Sequence, residues 1–299
     1  MLRREFIAQA GFALAAGCSP TLGFSDASES SLDTDLFFDI SLAQWSLHRQ
    51  IKAGLLDPLD FPRKARQAFD ISAVEYVSHL FPERTTNSDF LSELKLRAED
   101  FGVRSLLIMI DDEGHLGDPD AAVRQVAVEK HYRWVNAAAF LGCHSIRVNV
   151  TGEGSAEEVQ KAAVEGLIAL TTFARDYGIN VIVENHIGYA ENGQWLSKIL
   201  SGVDMASCGS LPDFGNFGNY DRYQGVRDLM PFAKGVSAKS YAFDDGGNET
   251  SIDFRAMLRI IYDSGYRGFV GVEFEGEGDE DTGILATKEL LMRLGAEFS

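Results

Sequence analysis

Asn180-Val181-Ile182-Val183-Glu184-Asn185-His186 decides how the chain is read. Three successive β-branched residues fit a buried strand, and the run stops on an acid, an amide and an imidazole. Upstream, Ala156–Tyr177 has helical spacing. It opens at Ser155-Ala156-Glu157-Glu158, with a capping serine and acids in the first turn, and closes at Tyr177-Gly178. Downstream, Gln194–Ser201 is helical again. A strand framed by two helices is the unit of an α/β fold.

The unit recurs in both directions. Further strands are expected at Phe38–Leu42, Ala73–Val77, Ser105–Ile110, Ser145–Val150, Cys208–Asp213, Gly235–Tyr241 and Gly268–Phe274. Helices are expected at Phe61–Phe69, Asp89–Phe101, Asp120–Leu141, Tyr223–Met230, Phe254–Ser264 and Thr282–Leu294, the third opened by Asp118-Pro119 and the sixth of the eight followed by one capped by Asp253. Eight alternations predict a (β/α)8 TIM barrel over residues 36–299. An open doubly wound sheet would bring a glycine-rich nucleotide loop after the first strand, and neither G-x-G-x-x-G nor G-x-x-x-x-G-K occurs.

In such a barrel the active site lies at the C-terminal ends of the strands. Polar residues fall there: Gln44-Trp45-Ser46, Glu75 and His79, Asp111 to His115, Arg147 and Asn149, Glu184 to His186, Asp213 to Asn216, Ser237 to Tyr241, and Glu273 to Glu275. Glu184, Asp213 and Glu273 each follow an apolar run. Three carboxylates converging on one mouth would raise one another's proton affinity, and a divalent cation removes that cost. Oxygen donors with one imidazole suit Mn2+ first, then Mg2+, with Zn2+ or Co2+ as alternatives. The competing reading pairs the acids with Lys239 and Arg147. Side chains alternate along a strand, so Glu184 and His186 share a face, as do Glu273 and Glu275.

Four stretches together resemble the xylose isomerase-like TIM-barrel family of sugar isomerases and epimerases. They are Val181–His186, Leu211-Pro212-Asp213-Phe214-Gly215-Asn216-Phe217, Ala238-Lys239, and Tyr266–Gly276. The resemblance implies Glu184, Asp213 and Glu273 as metal ligands, with Glu184 and Glu273 also serving as the acid/base pair. The family's strand-seven histidine is replaced by Ser237, so His186 is expected nearby, as ligand or as acid/base. The implied chemistry is proton transfer beside the carbonyl of a sugar, with Lys239 countering the negative oxygen. Asn216, Arg147 and Asn149 are expected to contact substrate hydroxyls and Trp45 to stack on the sugar. The same enolate could expel a leaving group, which would make the protein a lyase or dehydratase. A barrel that binds sugar without catalysis is the third reading.

Composition narrows the partners. The chain has 299 residues, 27 Lys plus Arg against 45 Asp plus Glu, and a formal charge of −18, which argues against nucleic acid. Three cysteines exclude a disulfide scaffold; Cys143 and Cys208 read as core residues. Arg3-Arg4 before Phe6-Ile7 and a short small-residue run resembles a twin-arginine export signal, followed by a polar linker to residue 35. Cys18 after Ala15-Ala16-Gly17 is a candidate lipid anchor, and no run is long enough to span a bilayer. Periplasmic location and a free carbohydrate substrate are therefore expected. The acids from Glu275 to Asp281 read as a solvated loop, and Asp111 to His115 as a lid or polar loop.

Overall fold

The structure, a computed structural model, describes residues 36–298. The export signal, the linker and Cys18 lie outside the described residues. The strands are β1 (Asp39–Ala43), β2 (Ala73–Val77), β3 (Arg104–Met109), β4 (Ser145–Val148), β5 (Asn180–Glu184), β6 (Cys208–Leu211), β7 (Val236–Ser240) and β8 (Phe269–Phe274). Between them run α1 (His48–Lys52), α2 (Phe61–Phe69), α3 (Ser88–Asp100), α4 (Ala121–Leu141), α5 (Ala156–Arg175), α6 (Gly193–Val203), α7 (Arg222–Leu229) and α8 (Phe254–Asp263), with α9 (Glu280–Gly295) after β8.

All strand pairs are parallel, in the order β6-β5-β4-β3-β2-β1-β8-β7. The end strands meet, because Lys234 N donates to Ser210 O at 3.0 Å, Ser237 N to Pro212 O at 2.9 Å and Phe214 N to Ser237 O at 3.1 Å. Asp213 and Ser237 pair across this seam. The result is the expected (β/α)8 barrel.

The alternation of the strands sorts two apolar clusters. The larger lies between the strands and the helix ring and includes Leu42, Tyr76, Ile108, Trp134, Ile146, Val183 and Phe274. The smaller fills part of the bore with Ala43, Val77, Leu107, Met109, Ile182 and Leu211. From β4, β7 and β8 the buried residues of matching parity are polar or absent: Arg147, Ser237, Lys239, Gly271 and Glu273. Gly271 is required, since a Cβ there would stand 2.6 Å from Glu75 Oε1. Glu75 is therefore a bore residue below the mouth, where only a glycine neighbour leaves it room.

Buried carboxylates fasten the loops. Glu113 accepts from Trp134 Nε1 at 2.9 Å, Arg84 Nη2 at 2.8 Å and Arg133. Glu280 accepts from the backbone of Arg49 at 2.8 Å and Gln50 at 3.0 Å, which ties the start of α9 to α1. Two expectations change here. The acidic run before α9 is not simply solvated, because Glu280 is 3% exposed and Asp279 caps α9 through Thr282 N at 2.9 Å. The N-cap of α4 is Asp120, which accepts from Ala122 N at 2.8 Å, while Asp118 braces the turn through Asp120 N. Ser155 caps α5 as expected and forms a capping box with Glu158, and Asp253 caps α8. Cys143 is buried and Cys208 half-buried, both as free thiols. No described helix is long and apolar enough to cross a membrane.

Candidate active site

A cavity of about 520 Å3 opens at the C-terminal ends of the strands. Its lining includes Trp45, Asp111, Arg147, Asn149, Glu184, His186, Lys239, Glu273 and Glu275. Glu184 ends β5 and Glu273 is the penultimate residue of β8, both on the inward parity, so both reach the cavity floor. Asp213 lies two residues past the end of β6, where its amide donates to Asn185 Oδ1 at 2.8 Å. Its carboxylate is held by Gly215 N at 2.7 Å and Asn216 N at 2.9 Å on Oδ1, and by Ser237 Oγ at 2.8 Å on Oδ2.

One oxygen each of Glu184, Asp213 and Glu273 lies within 4.8 Å of the others, and all three residues are buried. Burial raises the proton affinity of Glu184, and the charge of Glu273 adds to it against the opposing pull of Arg147. Burial does the same to Asp213, opposed by Lys239 and reinforced by Glu184 and Glu273. Glu75, beneath them, is pushed up to about 7, first by burial and then by Glu273 and Glu184, with a hydrogen bond from Ser41 at 2.6 Å pulling the other way.

Arg147 is 4% exposed, and its charge is divided. Its Nη1 donates to Asp111 Oδ1 at 2.6 Å, and its Nε lies 2.8 Å from Glu184 Oε2. The second contact is an ion pair without an aligned hydrogen bond, so Glu184 Oε2 is a buried oxygen with no donor aimed at it. Burial would raise the Asp111 carboxyl, but the charge and hydrogen bond of Arg147 outweigh it and hold it well below the usual range. The ionised Asp111 accepts from Asn149 Nδ2 at 2.7 Å, which turns Asn149 Oδ1 toward His186 Nδ1 at 3.2 Å. Burial and the nearby Arg147 lower the proton affinity of His186.

Lys239 is 3% exposed; it donates to Glu275 Oε2 at 3.0 Å, and Glu273 Oε1 is 3.7 Å away. Burial opposes its charge, but Glu273, Asp213, Glu184 and Glu275 outweigh that and raise its proton affinity. Glu275 Oε1 accepts from Trp45 Nε1 at 2.8 Å.

The structure thus brings together Glu184, Asp213 and Glu273, with Lys239 and Arg147 beside them. It leaves His186 out of the carboxylate group, because the imidazole is drawn to Asn149 and Asp111 instead. His186 stands on the cavity wall, beside that group. Asn216 does not line the cavity; its Nδ2 donates to Glu184 Oε1 at 3.1 Å and orients that acid. Trp45 and Asn149 are on the wall as expected, with one face of Trp45 stacked on His48 at 4.5 Å. Asp111 and Glu275, expected in polar loops, also line the cavity. Both continue the inward parity, two residues beyond Met109 and Glu273, and that spacing was the available signal.

The residues present fit a divalent cation. Three hard oxygen donors converge, one buried glutamate oxygen has no aligned donor, and the cavity wall carries five carboxylates against one lysine and one arginine.

Fold and site together define a parallel-barrel protein with an acidic cluster at its catalytic end. The chain belongs to the xylose isomerase-like TIM barrel family, whose model matches residues 63–294. Curated relatives match over short stretches. A C-glycoside deglycosidase alpha subunit from Arthrobacter globiformis is 39% identical over 56 residues, 19% of this chain and 16% of that protein. A 3'-dehydrocarminate deglycosidase alpha subunit from Microbacterium sp is 32% identical over 102 residues, 33% of this chain and 29% of that protein. The matches therefore span less than a third of those relatives. Among solved structures, a D-tagatose 3-epimerase-like protein superposes with a TM-score of 0.69 at 17% identity, covering 86% of this chain and 97% of its own. The IOLI protein with a binding zinc atom gives 0.70 at 14% identity, over 88% and 99%. These likenesses show a shared fold.

Proposed function

We propose that the protein is a metal-dependent sugar isomerase or epimerase, moving a proton next to the carbonyl of a non-phosphorylated sugar or keto-sugar. The observation that carries this reading is the buried convergence of Glu184, Asp213 and Glu273, the two glutamates lining a sugar-sized cavity and Asp213 behind them. Both cations on the cavity wall are paired with acids, Arg147 with Asp111 and Glu184 and Lys239 with Glu273 and Glu275, so neither is free for a phosphate. Export through the Arg3-Arg4 signal, where free sugars are the available substrates, belongs to the same proposal.

Glu184, Asp213 and Glu273 would hold the cation, with Mn2+ first in order. Bound there, it supplies Lewis acidity that stabilises negative charge on substrate oxygens. The remaining work falls to the chain. One of Glu184 and Glu273 removes the proton from the carbon beside the carbonyl, and the electron pair moves onto the carbonyl oxygen. The Lys239 ammonium lies beside Glu273 and offers a positive charge to that oxygen. The other glutamate, reaching in from a different strand, returns a proton to the same carbon or its neighbour. Asp213 is fixed by two backbone amides and Ser237 and serves as ligand only. Asn149 and His186 present polar groups to substrate hydroxyls from the opposite wall.

The names of the two curated relatives favour a second reading. Both are deglycosidases, one of a 3'-dehydro glycoside. In that reading the same enolate expels a group bonded to the carbon next to the one that lost its proton, and the protein is a lyase. The test is a panel of free sugars, keto-sugars and keto-glycosides incubated with Mn2+-loaded protein in D2O. Deuterium entering beside the carbonyl supports proton transfer, and release of an aglycone selects the lyase. Binding without exchange for every compound sinks the catalytic reading in favour of a sugar-binding barrel.

A further inference from the structure

We infer that Glu275 is a positioning residue that keeps the Lys239 ammonium off Glu273 and so leaves Glu273 free for a divalent cation. The inference rests on the reading that Glu184, Asp213 and Glu273 hold that cation.

Lys239 is buried among four carboxylates but hydrogen-bonds one of them, Glu275 Oε2 at 3.0 Å. Glu273 Oε1, at 3.7 Å, is inside ion-pair range and outside hydrogen-bond range. A lysine is a point charge on a flexible stem, so its position is set by whichever acceptor is fixed. Glu275 is fixed. Its other oxygen receives Trp45 Nε1 at 2.8 Å, and the indole is stacked on His48, whose Nδ1 lies 2.6 Å from Trp45 O. Indole, carboxylate and ammonium form a strap across the β1 and β8 ends of the barrel. Remove the carboxylate charge, and the nearest remaining carboxylate for the ammonium is Glu273, a stronger acceptor than a neutral amide oxygen. A lysine bonded to Glu273 competes with a dication for the same carboxylate, and its charge would also stand closer to that dication. Glu275 therefore acts on the cation through Lys239, without being a ligand.

A double-mutant cycle read by calorimetric titration of Mn2+ into the full chain tests this. Glu275→Gln should weaken Mn2+ at least tenfold. In a Lys239→Met background the same substitution should change affinity less than twofold, because the competitor is gone. Trp45→Phe, which removes the indole N–H together with part of the ring stacked on His48, should give an intermediate loss. Each variant is checked by circular dichroism; if Lys239→Met fails to fold, Lys239→Gln takes its place in the cycle. Equal losses in both backgrounds would overturn the inference, since Glu275 would then act directly or through the fold. A wild-type chain that binds no Mn2+ would overturn both the inference and the cation reading. The expected cycle together with no deuterium exchange would leave the inference standing and sink only the proposed reaction.

Discussion

Ser237 Oγ lies 2.5 Å from Glu273 Oε2, and the same oxygen is 2.8 Å from Asp213 Oδ2. One hydroxyl thus serves two buried carboxylates and carries one proton of its own. Ser237→Ala leaves both acids without that donor, and losing a hydrogen bond to buried charged groups costs about 1.5–3 kcal/mol. Urea unfolding of the metal-free protein at neutral pH should show a loss of that order. A loss within error of zero would mean that the hydroxyl does not hold the acids.

Glu75 sets a pH dependence. Its carboxyl is pushed from 4.5 up to about 7 in the folded state, mainly by burial. The folded form then keeps a proton that the unfolded form releases, so this group's contribution is full below about pH 4.5 and is lost as pH rises to about 7. By linkage the loss amounts to at most ~3 kcal/mol. Glu75→Gln, neutral at every pH, should flatten the stability curve across that window. Unfolding measured at pH 5 and pH 8 checks it, and an unchanged slope would refute the assignment.

Asp111 governs Arg147. Asp111→Asn removes the charge that receives Nη1 and Asn149 together, leaving Arg147 to Glu184 alone. The expected cost is about 1.5–3 kcal/mol for a buried charged hydrogen bond. Affinity for Mn2+ should fall as well, because the guanidinium then has Glu184 as its remaining acid. Calorimetry on the variant reads both effects.

Glu273→Gln should abolish deuterium exchange and leave the circular dichroism spectrum intact. The fold tolerates it because one charge leaves a crowded acidic cluster. Full exchange activity would remove Glu273 from the proposed mechanism.

Loading the cation should stabilise the fold by mass action, about 2.7 kcal/mol at a free concentration one hundred times the dissociation constant. Thermal melts with and without Mn2+, reversed by a chelator, measure this. Identical melts would speak against binding.

The barrel was legible because its strands are short apolar runs with sharp ends. Ala73–Val77, Asn180–Glu184 and Phe61–Phe69 have the bounds expected from their residues. The expected strand Cys208–Asp213 shortens to Cys208–Leu211, since the next amide, Asp213 N, donates to the Asn185 side chain at 2.8 Å rather than to a backbone carbonyl of β5. The carboxylates that end strands were legible for the same reason. Those beyond the ends were not. Asp111 and Glu113 stand in one charged stretch, yet one faces the cavity and the other anchors Arg84, Arg133 and Trp134. The chain turns between and after them, with Asp112 at φ 58° and Gly114 at φ 96°. Glu275 and Glu280 likewise share an acidic run but not a fate: one is a strap on Lys239, the other a clamp on α1. Charge density marks both; only three-dimensional partners separate them.

The seam between β6 and β7 has a consequence for how the molecule breathes. Those two strands meet through a pair of isolated bridges, one of them Asp213 with Ser237, whereas the neighbouring strands share continuous ladders. The thinnest join in the cylinder therefore runs through an acid of the cluster, and an ion gripping Asp213 and Glu273 would rivet it shut. Amide protons of Phe214 and Ser237 would then report on occupancy from the backbone, exchanging slowly when the rivet is in place and faster when it is drawn.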